Sequence, residues 1–127
     1  MISRSEAIIP ANHPADFTGL EGYFVRTAAN TDFICNTAAD IPLGVIVEGL
    51  RTRSSIITPN YGGVVKVKVA NSGAGIINRG TYLMLRTDGT VQADSGTGVR
   101  VRIARALEAG TPNELIDAYL IEPIALV

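Results

Sequence analysis

A chain of 127 residues, 46% apolar and 18% charged, fits a single domain with one core; roughly two-thirds of its unfolded surface can be buried. A formal net charge of −1 argues against nucleic-acid binding through bulk electrostatics and leaves only a local basic strip to consider. One cysteine, Cys35, excludes an intrachain disulfide framework, and with a single histidine, His13, no Cys/His zinc site can be assembled within one chain.

Residues 1–20 read as an N-terminal arm rather than a core element. Pro10 and Pro14 interrupt helix and ladder alike, and Ile8 and Ile9 form only a brief apolar pair. From Gly22 onward short β-type runs alternate with turn signals, the spacing of a sandwich or barrel. The first runs are Gly22–Thr27, Asp32–Thr37, Leu43–Gly49 and Ser55–Thr58, with a turn at 60–63 before the next. Val64–Ala70 is the clearest strand. Val65, Val67 and Val69 face one way and Lys66 and Lys68 the other, whereas a helix would set Val65 and Val67 about 200° apart.

Tyr82–Arg86 and Thr90–Ala93 flank Thr87-Asp88-Gly89, whose Asp-Gly pair suits a tight antiparallel hairpin. Val99–Ile103 repeats the alternation, which puts Val99, Val101 and Ile103 inside and Arg100 and Arg102 outside. Ala104–Ala109 has room for one helical turn before Gly110 and Pro112. Glu114–Glu122 is apolar on both faces, as in a strand covered on both sides, and Pro123 is expected to end it, leaving Ile124, Ala125, Leu126 and Val127 as an apolar tail. The fold class that emerges is all-β. It is a single-domain β-sandwich or β-barrel of about eight or nine short, mainly antiparallel strands, residues 21–127 behind the arm.

Catalysis needs a nucleophile, a base and a group to orient them, or a metal with three or four ligands. His13 sits in a Pro-bounded arm, a poor place to hold a catalytic ring rigidly. Asp88 is explained by its turn, Asp94 flanks the same hairpin, and no calcium loop or phosphate-cradling glycine motif occurs. The expectation is therefore no enzyme, no cofactor and no metal. Cys35 lies in an apolar stretch and reads as a buried, inert thiol. The row Lys66, Lys68, Arg100 and Arg102 would make a basic strip only if its two strands were neighbours. No strand interleaves aromatics with those cations, so direct nucleic-acid binding is not expected. No signal-peptide pattern opens the chain and no apolar run reaches the length of a membrane span, so a cytosol-like compartment without membrane contact is expected.

The order of features from Leu43 onward resembles a known family. It runs Leu43-Gly44-Val45-Ile46-Val47-Glu48-Gly49, the Val64–Ala70 strand, Gly73-Ala74-Gly75-Ile76-Ile77-Asn78-Arg79-Gly80-Thr81-Tyr82-Leu83, Thr87-Asp88-Gly89-Thr90-Val91 and Ile103-Ala104-Arg105-Ala106-Leu107-Glu108-Ala109-Gly110, with a closing apolar strand. This pattern is similar to the capsid cement, or head decoration, proteins of tailed bacteriophages, with Thr81 where that family often has Asp and Ala104 where it often has Gly. The resemblance implies a virion protein assembled in the host cytoplasm that binds the outer surface of a phage head. It also implies major capsid protein as partner and a homotrimeric state. The alternative is another virion β-module, such as a head–tail joining or tail-tube component. Contact residues are expected at both ends of the chain: Ile8, Ile9, Pro10, His13 and Pro14 in the arm, and Ile124, Leu126 and Val127 in the tail.

Overall fold

Alternation in the Val64–Lys68 run is realised as the spacing requires: Val65 and Val67 are buried while Val64 and Lys66 are exposed. The computed structural model describes residues 8–12 and 16–127. Among these, ten strands appear in chain order: β1 (Ile8–Pro10), β2 (Phe24–Ala28), β3 (Thr31–Ile34), β4 (Gly44–Glu48), β5 (Ser55–Ile57), β6 (Val64–Lys68), β7 (Tyr82–Leu85), β8 (Val91–Ala93), β9 (Arg100–Ala106) and β10 (Leu115–Leu126). The first five form one sheet, ordered β1-β5-β4-β2-β3, and the last five a second, ordered β6-β10-β9-β7-β8. Every strand pairing in both sheets is antiparallel.

The sheets pack face to face as a single-domain β-sandwich. Phe24, Cys35, Val45 and Ile57 of the N-terminal half meet Val65, Val67, Leu83, Leu85, Val101, Ile103 and Ile116 of the C-terminal half in one core. The C-terminal sheet also curls, so that Val91 at its β8 edge bridges Val69 just beyond β6. The Asp-Gly hairpin forms as expected, with Leu83, Met84 and Leu85 opposite Ala93, Gln92 and Val91. Within the turn 87–89 only Gly89 takes a positive φ (+84°). A Cβ there would also stand 2.7 Å from Ile34, and its carbonyl accepts the Phe24 N–H, so the hairpin tip is docked on the other sheet.

Several sequence expectations are corrected. The segment read as an arm contributes an edge strand, since Ile8, Ile9 and Pro10 pair with Ile57, Ile56 and Ser55. Phe17 is 1% exposed and, with Val25, Ile46 and Ile56, forms a second small core on the outer face of the N-terminal sheet. An outer face that apolar cannot stay in water, and the preceding chain folds back to cover it. His13 and Pro14 lie outside the described residues.

In the β9 region Val99, expected inside, precedes the strand and is 65% exposed, while Arg100, on the same face as Arg102, is buried because it closes onto Asp94 rather than standing in solvent. Two irregularities explain the rest. Ile103 is skipped in the pairing with β7, where Leu83 faces Ala104 and Met84 faces Arg102, so Ile103 and Ala104 both turn inward. The expected helical turn after Ala104 is absent because β9 continues through Ala106. Opposite the same bulge, β10 shifts register between Leu120 and Ile124. Pro123 falls inside that shift, where no ladder bond is required of it, and so fails to end the strand. The tail Ile124–Leu126 is therefore strand, paired with Arg102, Val101 and Arg100. Nor is β10 covered on both faces: Ile116 and Ala118 are buried, but Leu115 and Tyr119 are exposed.

Candidate functional site

Two surface features stand out from the body of the sandwich. The first is an apolar groove of about 380 Å³ between β4 and the open edge of β6, lined by Val45, Val47, Ile57, Tyr61, Val64 and Leu115 among others. At its inner end Gly22 bridges the sheets, donating to the Ile46 carbonyl and accepting the Lys68 N–H. Of the groove's polar lining residues, Glu21 accepts the Gly49 N–H at 2.8 Å and Lys66 is paired with Asp117.

The second feature is the outer face of the C-terminal sheet. Register places Tyr82 of β7 opposite Arg105 of β9, Arg105 opposite Tyr119 of β10, and Tyr119 opposite Val64 of β6. All four side chains are exposed, so they form one row across four strands. The Arg102 and Arg105 guanidiniums lie 4.8 and 5.2 Å from the Tyr82 ring centroid, within cation–π range. Sequence reading missed this row because no single strand alternates aromatic and cation. Pairing of distant strands supplies the interleaving instead.

Asp94 holds the row's upper end. Its side chain is 7% exposed and accepts 2.5 Å bonds from Arg100 Nε and Arg102 Nε, one on each oxygen. Arg100 also donates to the Gly98 carbonyl at 2.9 Å, and the Gly96 N–H donates to Asp94 at 3.2 Å. Burial alone would raise the Asp94 pKa, but the hydrogen bonds from Arg100 and Arg102 outweigh it, helped by the Gly96 N–H, and bring it down to about 2. Arg100 is thereby neutralised inside the structure, and Arg102 is held against Tyr82.

The basic strip considered from sequence does not form. Between β6 and β9 lies β10, which separates Lys66 and Lys68 from the arginines. Lys66 pairs with Asp117 at 2.7 Å, and Lys68 donates to the Asn113 carbonyl at 2.6 Å. The expected contact residues fall in different sheets. Ile8 and Pro10 are exposed on β1 with Ile9 turned toward the second core, whereas Ile124 and Leu126 sit on β10 and Val127 is 99% exposed beyond it. Cys35 is buried, and burial, reinforced by the nearby Asp40, pushes its thiol up to about 12, so it stays protonated and unreactive. Among the described residues no cluster of three or more His, Cys, Asp or Glu side chains could hold a metal ion, and no helix is long and apolar enough to cross a membrane.

Antiparallel pairing throughout, two five-stranded layers and a shared core define an all-β sandwich scaffold. Among solved structures it is similar to the head fiber gp8.5 N base of bacteriophage phi29, with a TM-score of 0.55 and 18% sequence identity over 90% of this chain and 92% of that one. At that identity the likeness establishes a common fold. No family model matches the chain, and no curated protein matches it in sequence.

Proposed function

We propose that this chain is a non-catalytic structural protein of a phage virion, acting as a cement or decoration protein on the outside of the head. The observation that carries the reading is the fold shared over nearly the full length of both chains with a head fiber base. The sequence motifs from Leu43 onward, which resemble head decoration proteins, point the same way independently of that fold. In this reading the partner is the major capsid protein and the working form is a homotrimer. Several weak contacts made at once then raise avidity by about 10²–10⁴ without any one of them being strong.

The N-terminal segment is the first place to look for such a contact. Ile8 remains exposed on β1, and β1 is the outermost strand of its sheet, so its free edge is open to a partner strand. Deleting residues 2–14 would remove β1 along with any contact, so residues 2–7 are the informative deletion because every described strand survives it.

The decisive experiment is immunogold labelling of virions from the phage whose genome encodes this chain. Label over the head surface is expected, and loss of that label on deleting residues 2–7 would assign the contact to the segment before β1. Label at the neck or along the tail would replace the reading with a joining or tail-tube role, and unlabelled virions would end it.

A further inference from the structure

We infer that the outer face of the C-terminal sheet docks an acidic segment of a partner protein, with Arg105 at its centre, Tyr82 and Tyr119 on either side and Arg79 at its border. The charge on this face is uneven. Arg79, Arg100, Arg102 and Arg105 lie on or beside it, yet the one carboxylate bonded to any of them is Asp94, consumed by Arg100 and Arg102. At the far end of the face Asp117 is taken by Lys66, and Glu108 lies near enough to act on the same lysine. Arg79 and Arg105 make no ion pair among the described residues, on a chain whose net charge is −1.

Both unpaired guanidiniums are nevertheless held in place. Arg105 Nε donates to the Gly80 carbonyl at 3.1 Å, and Arg79 Nη1 donates to the Leu107 carbonyl at 3.0 Å. The backbone of the same two segments is joined by the Gly80 N–H to the Ala106 carbonyl at 2.7 Å. The arginines thus staple loop and strand in opposite directions, each keeping N–H groups free. An anchored guanidinium loses less entropy on binding, and its planar fork suits a carboxylate.

Chemistry favours a protein over a nucleic acid here. Tyr and Arg together are the side chains most enriched at the centres of protein interfaces. Base stacking needs an open ring face, and the Tyr82 ring is already engaged by two guanidiniums. Adjacent strands lie about 4.8 Å apart, so Tyr82 and Tyr119 stand roughly 10 Å apart across Arg105, a span that an extended acidic segment with flanking apolar residues can bridge. The docking surface holds whether or not the partner is a capsid protein.

Fluorescence anisotropy with a labelled peptide of alternating Glu and Val tests it on the full chain, beside a Lys/Val peptide, a Gln/Val peptide and a labelled oligothymidine. The acidic peptide alone is expected to bind, with affinity falling about tenfold or more when salt is raised well beyond about 0.1 M. The double variant Arg79→Gln/Arg105→Gln is expected to weaken it about tenfold or more, while the loss of two exposed hydrogen bonds lowers the melting temperature only slightly and leaves the chain folded at the assay temperature. Equal binding of the Gln/Val peptide, or none of the acidic one, would overturn the assignment whatever the variant's stability. Oligothymidine binding with the same arginine dependence would transfer the face to nucleic acid. Self-association of the wild type that disappears in Arg105→Gln would transfer it to a second copy.

Discussion

On the N-terminal sheet the outward-facing side chains Val25, Ile46 and Ile56 are as buried as the inward ones, because Phe17 and Leu20 of the preceding chain lie over them. On the C-terminal sheet the corresponding face carries Tyr82, Arg105, Tyr119 and Val64 in solvent, with cation–π contacts and a buried carboxylate in place of a second core. The same strand chemistry thus ends in two kinds of surface, one closed by the chain itself and one left open and ordered. Closing a face contributes stability through apolar area removed from water. Leaving it open but rigid keeps polar groups available at low entropic cost, which is what recognition of a partner requires.

The largest expected effect breaks the closed face. Phe17→Ala should cost about 3–5 kcal/mol in urea-melt stability, comparable with Leu83→Ala in the main core. A loss below about 1 kcal/mol would mean that residues 16–20 only rest on the sheet. Gly49→Ala attacks the same cover from the other side, since its Cβ would come 2.1 Å from the Phe17 carbonyl. It should destabilise by about 1–3 kcal/mol, and tryptophan placed at position 18 should report a local shift before the global melt.

On the open face the expected loss is smaller. Asp94→Asn leaves Arg100, with a side chain only 7% exposed, without its carboxylate. A fully buried pair would cost about 3–5 kcal/mol, but Arg102 is 32% exposed, so about 2–3 kcal/mol is expected in chemical denaturation.

Acid sharpens the same point. Asp94 is depressed from 3.8 to about 2 by folding, so its contribution is fully present above the unfolded value and is lost as pH falls through about 2. The gap between wild type and Asp94→Asn should be flat from pH 7 to about 4 and then shrink by on the order of 2 kcal/mol toward pH 2. A gap independent of pH would show that the variant acts through packing instead. Smallest of all, Lys66→Ala should leave the unfolding midpoint unchanged, because its pair with Asp117 is open to solvent.

How far the chain could be read from its residues follows the same division. Val64–Lys68 and the Asp88-Gly89 hairpin were legible because period-two burial and a positive-φ glycine are local properties. Absence of a catalytic constellation was an expectation of the same kind, drawn from one His and one Cys. The β9 bulge at Ile103 was not legible, since nothing in Val-Arg-Ile-Ala-Arg marks which residue two neighbours will skip, and one skipped residue reverses the facing of all that follow. Arg105, beyond the bulge, turns outward between Tyr82 and Tyr119 for that reason, whereas Arg100, ahead of it, is buried by its contact with Asp94.

By itself, then, the amino-acid order determined the strands, their turns and the all-β class, because backbone φ/ψ preferences and alternating burial act within a few residues. Tertiary structure alone decided which face would be covered, that Ile9, Ala11, Phe17 and Leu20 would supply the cover, and that four exposed side chains from four strands would align into one row. Those outcomes depend on register between segments tens of residues apart, and register is set by the whole core at once.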